Sequence, residues 1–399
     1  MGTRRISAMT TALCLAVAGP AGVPVGAAVA APETSELSRT VQRDADALLA
    51  QGVPGVLVGV DARRGDFTVR SGHGDLDAKT PVPWNAHFRI GSFTKAFVAT
   101  TVLQLVGERR LSLEDTVDRW LPGVVAGNGN DGRAITIRQL LQHTSGLHDY
   151  ARELPFLSTR EGFLKSRFDT VTAAEAVRLG VSKPPTFAPG AGWSYSNTGY
   201  ALVGMVIERV TGRTWQQEVT ARVIRPLGLG NTHAPYTSPH IPGPHAKGYD
   251  RFPEGDAADP EWGPRVDVTL QNPSWGGAAG AMTGTVDDGN RFLRALLGGR
   301  VLRPDLLAEM KRTVRAPQFD DAWPGARYGL GIMWTPNSCG GAWSHGGTIH
   351  GYLTRNGVTD DGDRSVVVSM NTRTPVPTDG SPPAEKDPST ALIDHALCG

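Results

Sequence analysis

The sequence predicts an α+β fold: an antiparallel β-sheet flanked by helices, built from both ends of the chain around an inserted, mostly helical domain. Three observations predict it. Short β-rich runs bounded by turn residues stand at 56–69 and return at 328–370, the stretch between them carries helical periodicity and long loops, and a helical pattern closes each end. The boundaries read as a leader over 1–30, a sheet domain over 31–110 and 272–399, and a helical insert over 111–271.

Taken in order, Arg4 and Arg5 precede an apolar stretch from Ala8 to Ala18, and Ala28, Val29 and Ala30 supply the small residues of a cleavage site. That pattern predicts an export signal cleaved near Ala30 and a secreted mature chain. The alternative is a membrane anchor, but Gly19, Pro20, Gly22, Pro24 and Gly26 interrupt the run short of a spanning length. The twin arginines hint at export of the folded protein, although Ile6 and Ser7 fit that pattern poorly. Leu37, Val41, Ala45, Leu48 and Leu49 then recur at helical spacing until Gly52 and Pro54. Val56–Val60 and Phe67–Val69 read as a hairpin around Arg63, Arg64, Gly65 and Asp66.

Within the insert, Tyr200–Thr211 and Trp215–Leu227 read as helices. Beyond it, strands are expected at Tyr328–Trp334, Ala342–His345, Tyr352–Asn356 and Arg364–Met370, the last two joined by a turn at Asp360–Asp363. A polar, proline-rich loop from Pro375 to Pro388 precedes a final helix, Ser389–Leu397. The formal net charge of +1 comes from interspersed acids and bases, so no basic patch for nucleic acid is visible. Cys14 would leave with the leader. Cys339 and Cys398 would then meet an oxidising compartment, and they are expected to pair rather than remain free thiols.

Ser92, Phe93, Thr94 and Lys95 stand where a glycine-ended strand gives way to an apolar helix. A serine hydroxyl needs a base to act as a nucleophile at neutral pH, and residues three apart on a helix share a face. Lys95 can therefore reach Ser92. A second cluster, Tyr195, Ser196 and Asn197, lies in a Gly-flanked loop before a helix. There the phenol can face a cleft, a nearby ammonium would lower its pKa, and Asn197 can bridge Lys95 and a substrate amide. The bland reading gives Ser196 and Asn197 to a cap and turn, with Tyr195 packed. A third cluster, His345, Gly346, Gly347 and Thr348, ends a predicted strand. Its glycines admit close backbone approach, and Thr348 N–H with Ser92 N–H forms the candidate oxyanion hole. His345 either shapes the site electrostatically or serves as a structural hydrogen-bonder.

These three clusters, in this order, resemble the serine β-lactamases of class C, the penicillin-recognising D-alanyl-D-alanine carboxypeptidases and related serine esterases. The Tyr-x-Asn and His-x-Gly variants are typical of the carboxypeptidase branch. Further family-like stretches are Phe88–Ser92, Leu140–Leu147, Ser274–Trp275 with Gly280–Met282, and Tyr328–Gly331. The resemblance implies a β-lactamase/transpeptidase-like fold and an acyl-enzyme on Ser92, with Lys95 and Tyr195 relaying the proton and either one as the base. Asn197, His345, Gly346, Gly347, Trp275 and Met333 would line the substrate site. It also implies no cofactor or metal, no membrane span in the mature chain and a monomer. Small peptides, esters or β-lactams are the expected partners, with peptidoglycan stem peptides among them.

Met333 departs from the pattern, because the carboxypeptidase branch can carry an arginine there for the substrate's terminal carboxylate. Unless Arg327, Arg355 or His350 substitutes, esters and N-terminal D-amino acids become realistic substrates. A D-alanyl-D-alanine carboxypeptidase-like activity remains the leading expectation, beside a serine esterase or a D-amino-acid amidase or aminopeptidase. Two rivals remain. Ala342–Gly346 approximates a nucleophile elbow, although glycines and another strand follow it instead of a helix. A slow-turnover penicillin-binding or sensor protein would carry the same acylation motifs.

Overall fold

Side chains of a strand alternate between the two faces of its sheet, and Val56, Val58 and Val60 alternate with Leu57 and Gly59 in the first strand. The valines join one apolar cluster with Val41, Ala45, Leu392 and Leu397, whereas Leu57 joins a second with Phe93, Phe97, Phe292 and Val367. The sheet is therefore covered on both faces. This computed structural model describes residues 36–62, 65–254, 261–377 and 387–399. The expected leader, Arg63, Arg64 and most of the 375–388 loop lie outside them.

Helix α1 (Glu36–Ala50) leads into β1 (Gly55–Ala62), β2 (Phe67–Asp75) and the short β3 (Thr80–Pro81). Helices α2 (Thr94–Gly107), α3 (Asn197–Thr211) and α4 (Val286–Leu297) follow, separated by shorter helices and loops. The chain then returns to the sheet through β4 (Val314–Arg315), β5 (Arg327–Tyr328), β6 (Met333–Thr335), β7 (Ala342–Ser344), β8 (Gly347–Ile349), β9 (Tyr352–Val358) and β10 (Arg364–Met370), and ends in α5 (Thr390–Cys398). The strand order is β4-β5-β6-β7-β9-β10-β1-β2-β3, with β8 pairing β9. All these pairs are antiparallel. The central pair joins the two ends of the chain, setting Val58 opposite Val368.

Helices α1 and α5 cover one face of this central pair, while α2 and α4 cover the other. Gly59 lets α4 approach closely, since a Cβ there would meet a Val286 methyl at 2.8 Å. Helix α2 is buried nearly all round, which its near-continuous apolar sequence permits.

Two expected elements differ. The run Tyr328–Trp334 is not one strand but the hairpin of β5 and β6, with Tyr328 opposite Met333. Gly331 turns with φ +75°, and a Cβ there would strike the Ala99 Cβ at 2.5 Å. The helix expected over Trp215–Leu227 keeps regular geometry only to Val219, then widens through Thr220–Ile224. Pro226 has no N–H to give the Arg222 carbonyl, so the regular hydrogen-bond ladder cannot run on through this turn. Cys339 and Cys398 are bonded, tying the loop after β6 to the end of α5 across 59 residues.

Candidate active site

Ser92 lies in a tight turn, Gly91–Phe93, between the short strand Phe88–Arg89 and α2. Gly91 makes this possible: its φ is +53°, and a Cβ there would meet Thr348 N at 2.9 Å. Gly347 faces it on β8, where a Cβ would sit 1.9 Å from the Ile90 carbonyl oxygen and 2.9 Å from Ser92 N. Two glycines thus bring the backbone at Ser92 against the backbone at Thr348, as the oxyanion-hole expectation requires.

One turn into α2, Lys95 is wholly buried, and its Nζ lies 3.0 Å from Ser92 Oγ, 2.8 Å from Asn197 Oδ1 and 2.7 Å from the Ala279 carbonyl oxygen. Burial pushes the ammonium down to about 7, against a smaller upward pull from the Asp149 carboxylate. Those partners suit both protonation states. An ammonium donates to all three, while a neutral amine donates to Asn197 and Ala279 and accepts from the Ser92 hydroxyl.

Asn197 opens α3 and donates from Nδ2 to Asp149 at 3.0 and 3.2 Å, which turns its Oδ1 toward Lys95. Tyr195, two residues before, has its ring centroid 4.8 Å from Lys95 Nζ and its hydroxyl bonded to Ser92. Its pKa moves opposite to expectation: burial pushes the phenol above its ordinary range, and the Ser92 bond offsets only part of that. A lysine already close to neutral cannot supply the field that would stabilise phenolate.

His345 holds its partners through a directed chain. Ser196 N–H donates to His143 Nδ1 at 3.2 Å, His143 Nε2 lies 3.2 Å from Tyr328 Oη, and Tyr328 Oη lies 2.8 Å from His345 Nε2. His345 Nδ1 in turn lies 2.7 Å from the Gly346 carbonyl oxygen. One assignment satisfies every link with neutral rings: His143 carries its proton on Nε2, Tyr328 donates to His345 Nε2, and His345 carries its proton on Nδ1. Burial pushes His345 down to about 3 and His143 well below the ordinary histidine range, with Lys95 adding to both shifts. Of the two roles left open for His345, these bonds describe the structural one.

Ser92, Tyr195, Asn197, Met333, His345, Gly346, Gly347 and Thr348 line one cavity of about 320 Å³. Phe319, Trp323 and Tyr328 complete an apolar wall, and Arg355 closes one side. Trp275, expected in the site, is not brought there: it lines a separate cavity of about 270 Å³ together with Trp215 and Tyr236. The Ser274–Trp275 turn instead leads the chain toward Ala279, whose carbonyl holds Lys95. Of the three possible stand-ins at Met333, His350 is enclosed with Asp250, and Arg327 is spent on Thr313 Oγ1 and its carbonyl. Arg355 alone of these reaches the cavity. Ser344 lies within β7 and is followed by β8, not by the helix an elbow needs.

Sequence reasoning missed Asp149, His143 and Tyr328 as parts of the site. Asp149 had a signal, since it follows the family-like Leu140–Leu147 stretch by two residues. Phe319 and Trp323 had none, because their loop meets the site only through the tertiary fold. Among the described residues, no cluster of three His, Cys, Asp or Glu side chains is placed to hold a metal, and no helix is long and apolar enough to cross a membrane.

A serine paired with a buried lysine at the head of a core helix, beside a glycine-bearing sheet strand, defines the class: a serine hydrolase of the β-lactamase and penicillin-binding type. Residues 38–387 match the Beta-lactamase family model, and the chain belongs to that family. It is 32% identical over 315 residues to esterase EstB of Burkholderia gladioli, covering 73% of this chain and 79% of that protein. Among solved structures, a D-stereospecific amidohydrolase from Streptomyces sp. superposes with a TM-score of 0.77 at 40% identity, covering 84% of this chain and 94% of that one. A D-amino acid amidase from Ochrobactrum anthropi SV3, complexed with D-phenylalanine, superposes with a TM-score of 0.75 at 27% identity, covering 91% and 98%.

Proposed function

We propose that this protein is an exported acyl-enzyme hydrolase of small amides and esters with apolar acyl groups, D-amino-acid amides foremost among them. The observation that carries the chemistry is Lys95: buried, with a pKa lowered to about 7 and its Nζ 3.0 Å from Ser92 Oγ. In the neutral form it takes the Ser92 proton as Oγ attacks the carbonyl carbon. Tyr195, kept as a phenol, passes a proton to the departing amine or alcohol and is reprotonated from Lys95. The oxyanion forms between the Ser92 and Thr348 N–H groups. Water then adds to the ester, again giving its proton to Lys95, and the acid leaves as Ser92 Oγ is reprotonated.

The apolar wall of Phe319, Trp323, Tyr328 and Met333 supports an apolar or aromatic acyl group. The likeness to amidases and an esterase supports amide and ester bonds over a free-carboxylate peptide. The test compares D-phenylalanine amide, L-phenylalanine amide, p-nitrophenyl butyrate, a D-Ala-D-Ala peptide and a chromogenic β-lactam on wild type and Ser92→Ala. The expected result is preference for the D-amide or the ester, lost in Ser92→Ala. Preference for the free-carboxylate peptide by orders of magnitude would replace this reading with a carboxypeptidase. A stoichiometric β-lactam burst without turnover of any substrate would replace it with a penicillin-binding sensor.

A further inference from the structure

The active-site cavity does not end at Arg355. A second cavity of about 650 Å³ adjoins it, and the two share Trp323, Met333, Gly346 and Arg355. Among the described residues lining the active-site cavity, Arg355 is the one arginine or lysine. It is not available as a bare cation. Its Nε is paired with Asp387, its Nη1 donates to the Thr354 carbonyl oxygen at 3.1 Å, and its guanidinium carbon lies 5.1 Å from the Trp323 ring centroid. The Asp387 side chain is 5% exposed and the Arg355 side chain 15%. The other Asp387 oxygen accepts from Ser389 N at 3.0 Å and Ser389 Oγ at 2.5 Å, which anchors the carboxylate at the start of α5.

We propose that Asp387 is a specificity-determining residue: by occupying Arg355 it withholds that cation from substrate carboxylates, so the site selects acyl donors and leaving groups that carry no carboxylate. The inference rests on the serine-hydrolase reading and extends it to charge selection. A substrate carboxylate would have to displace a resident one that is tethered and already held by Ser389, or else lie beside it at the cost of like-charge repulsion. Burial by itself would push the Asp387 carboxyl up, but Arg355 and the Ser389 donors outweigh it and hold the group below the ordinary carboxylate range, so it stays an anion. Met333 removes the cation from one side of the cavity, and Asp387 neutralises the one that remains.

Two isosteric substrate pairs probe both sides of the scissile bond: D-glutamate α-amide against D-glutamine α-amide, and D-Phe-D-Ala against its C-terminal amide. In Asp387→Asn, the ratio of kcat/KM for the carboxylate member over the carboxamide member should rise at least about tenfold in one pair or both. Adding Arg355→Gln should abolish that rise. Ratios that stay within about threefold in both pairs, or a rise that survives loss of Arg355, overturn the proposal. Should Asp387→Asn fail to fold, Arg355→Gln alone keeps it testable: the bared Asp387 should lower the ratio about tenfold, and an unmoved ratio refutes the idea. Titration of Ser92 with a fluorescent phosphonate separates the two readings. Wild type that is not labelled sinks the serine-hydrolase reading and this proposal with it, whereas labelled protein with unmoved ratios sinks the charge selection alone.

Discussion

Lowering the pH through 7 should switch off Ser92 by protonating Lys95, and the size of the effect follows from burial. An exposed lysine titrates near 10.4, whereas burial brings Lys95 down to about 7. That difference corresponds to roughly 5 kcal/mol disfavouring the ammonium in its native site. The sign is fixed by the base's role: the neutral amine is active, so activity is full above pH 7 and lost below it. The rate of Ser92 labelling by a fluorescent phosphonate should fall about fiftyfold from pH 7 to pH 5 and rise only about twofold from pH 7 to pH 9. With an ordinary lysine pKa the rate would instead climb about a hundredfold between pH 7 and 9, and that result would refute the reasoning. Asp149 pulls the ammonium up, so Asp149→Asn should move the acid limb to lower pH. His345→Gln should leave the limb in place, since His345 titrates near 3.

Gly347→Ala should cut kcat by about 10² to 10³, because its Cβ must displace the Ile90 carbonyl and part the two oxyanion donors. A loss smaller than tenfold in a folded variant would argue against that hole. Breaking the Cys339–Cys398 bond, by reduction or by Cys398→Ser, should lower unfolding stability by up to about 4 kcal/mol for a loop of this length while leaving Ser92 reactive. Urea denaturation measures this, and a change below about 1 kcal/mol would mean the loop is already fixed without the bond.

What the sequence disclosed and what it withheld divide along contact range. Ser92 and Lys95 lie one helical turn apart, so their meeting was readable from spacing, and the β-rich composition of Val56–Val60 was enough to read a strand. Tyr195 and Asn197 required recognition of a pattern, since nothing local says that a loop 100 residues on returns to Lys95. Asp149, Tyr328 and Asp387 act through partners set by tertiary packing, which periodicity does not encode. The β5–β6 hairpin was hidden for a different reason: Tyr328–Trp334 has the composition of a strand, and the crowding against Ala99 that reserves the turn for Gly331 exists only in the folded chain.

The one error of sign, at Tyr195, shows how the site works. Proximity to a lysine was expected to lower the phenol's pKa, but the same burial that raises Tyr195 depresses Lys95, His143 and His345. One physical cause therefore drives Lys95, Tyr195, His143 and His345 toward their uncharged forms. With Arg355 matched by Asp387, the cavity carries little net charge at rest. Charge arises there when Oγ attacks and the carbonyl oxygen becomes an anion, and fixed N–H dipoles in a poorly solvated site then act with little competition from water. On the proposed selection such a cavity disfavours substrates that bring a carboxylate, which ties the choice of acyl donor to the desolvation that makes Lys95 a base.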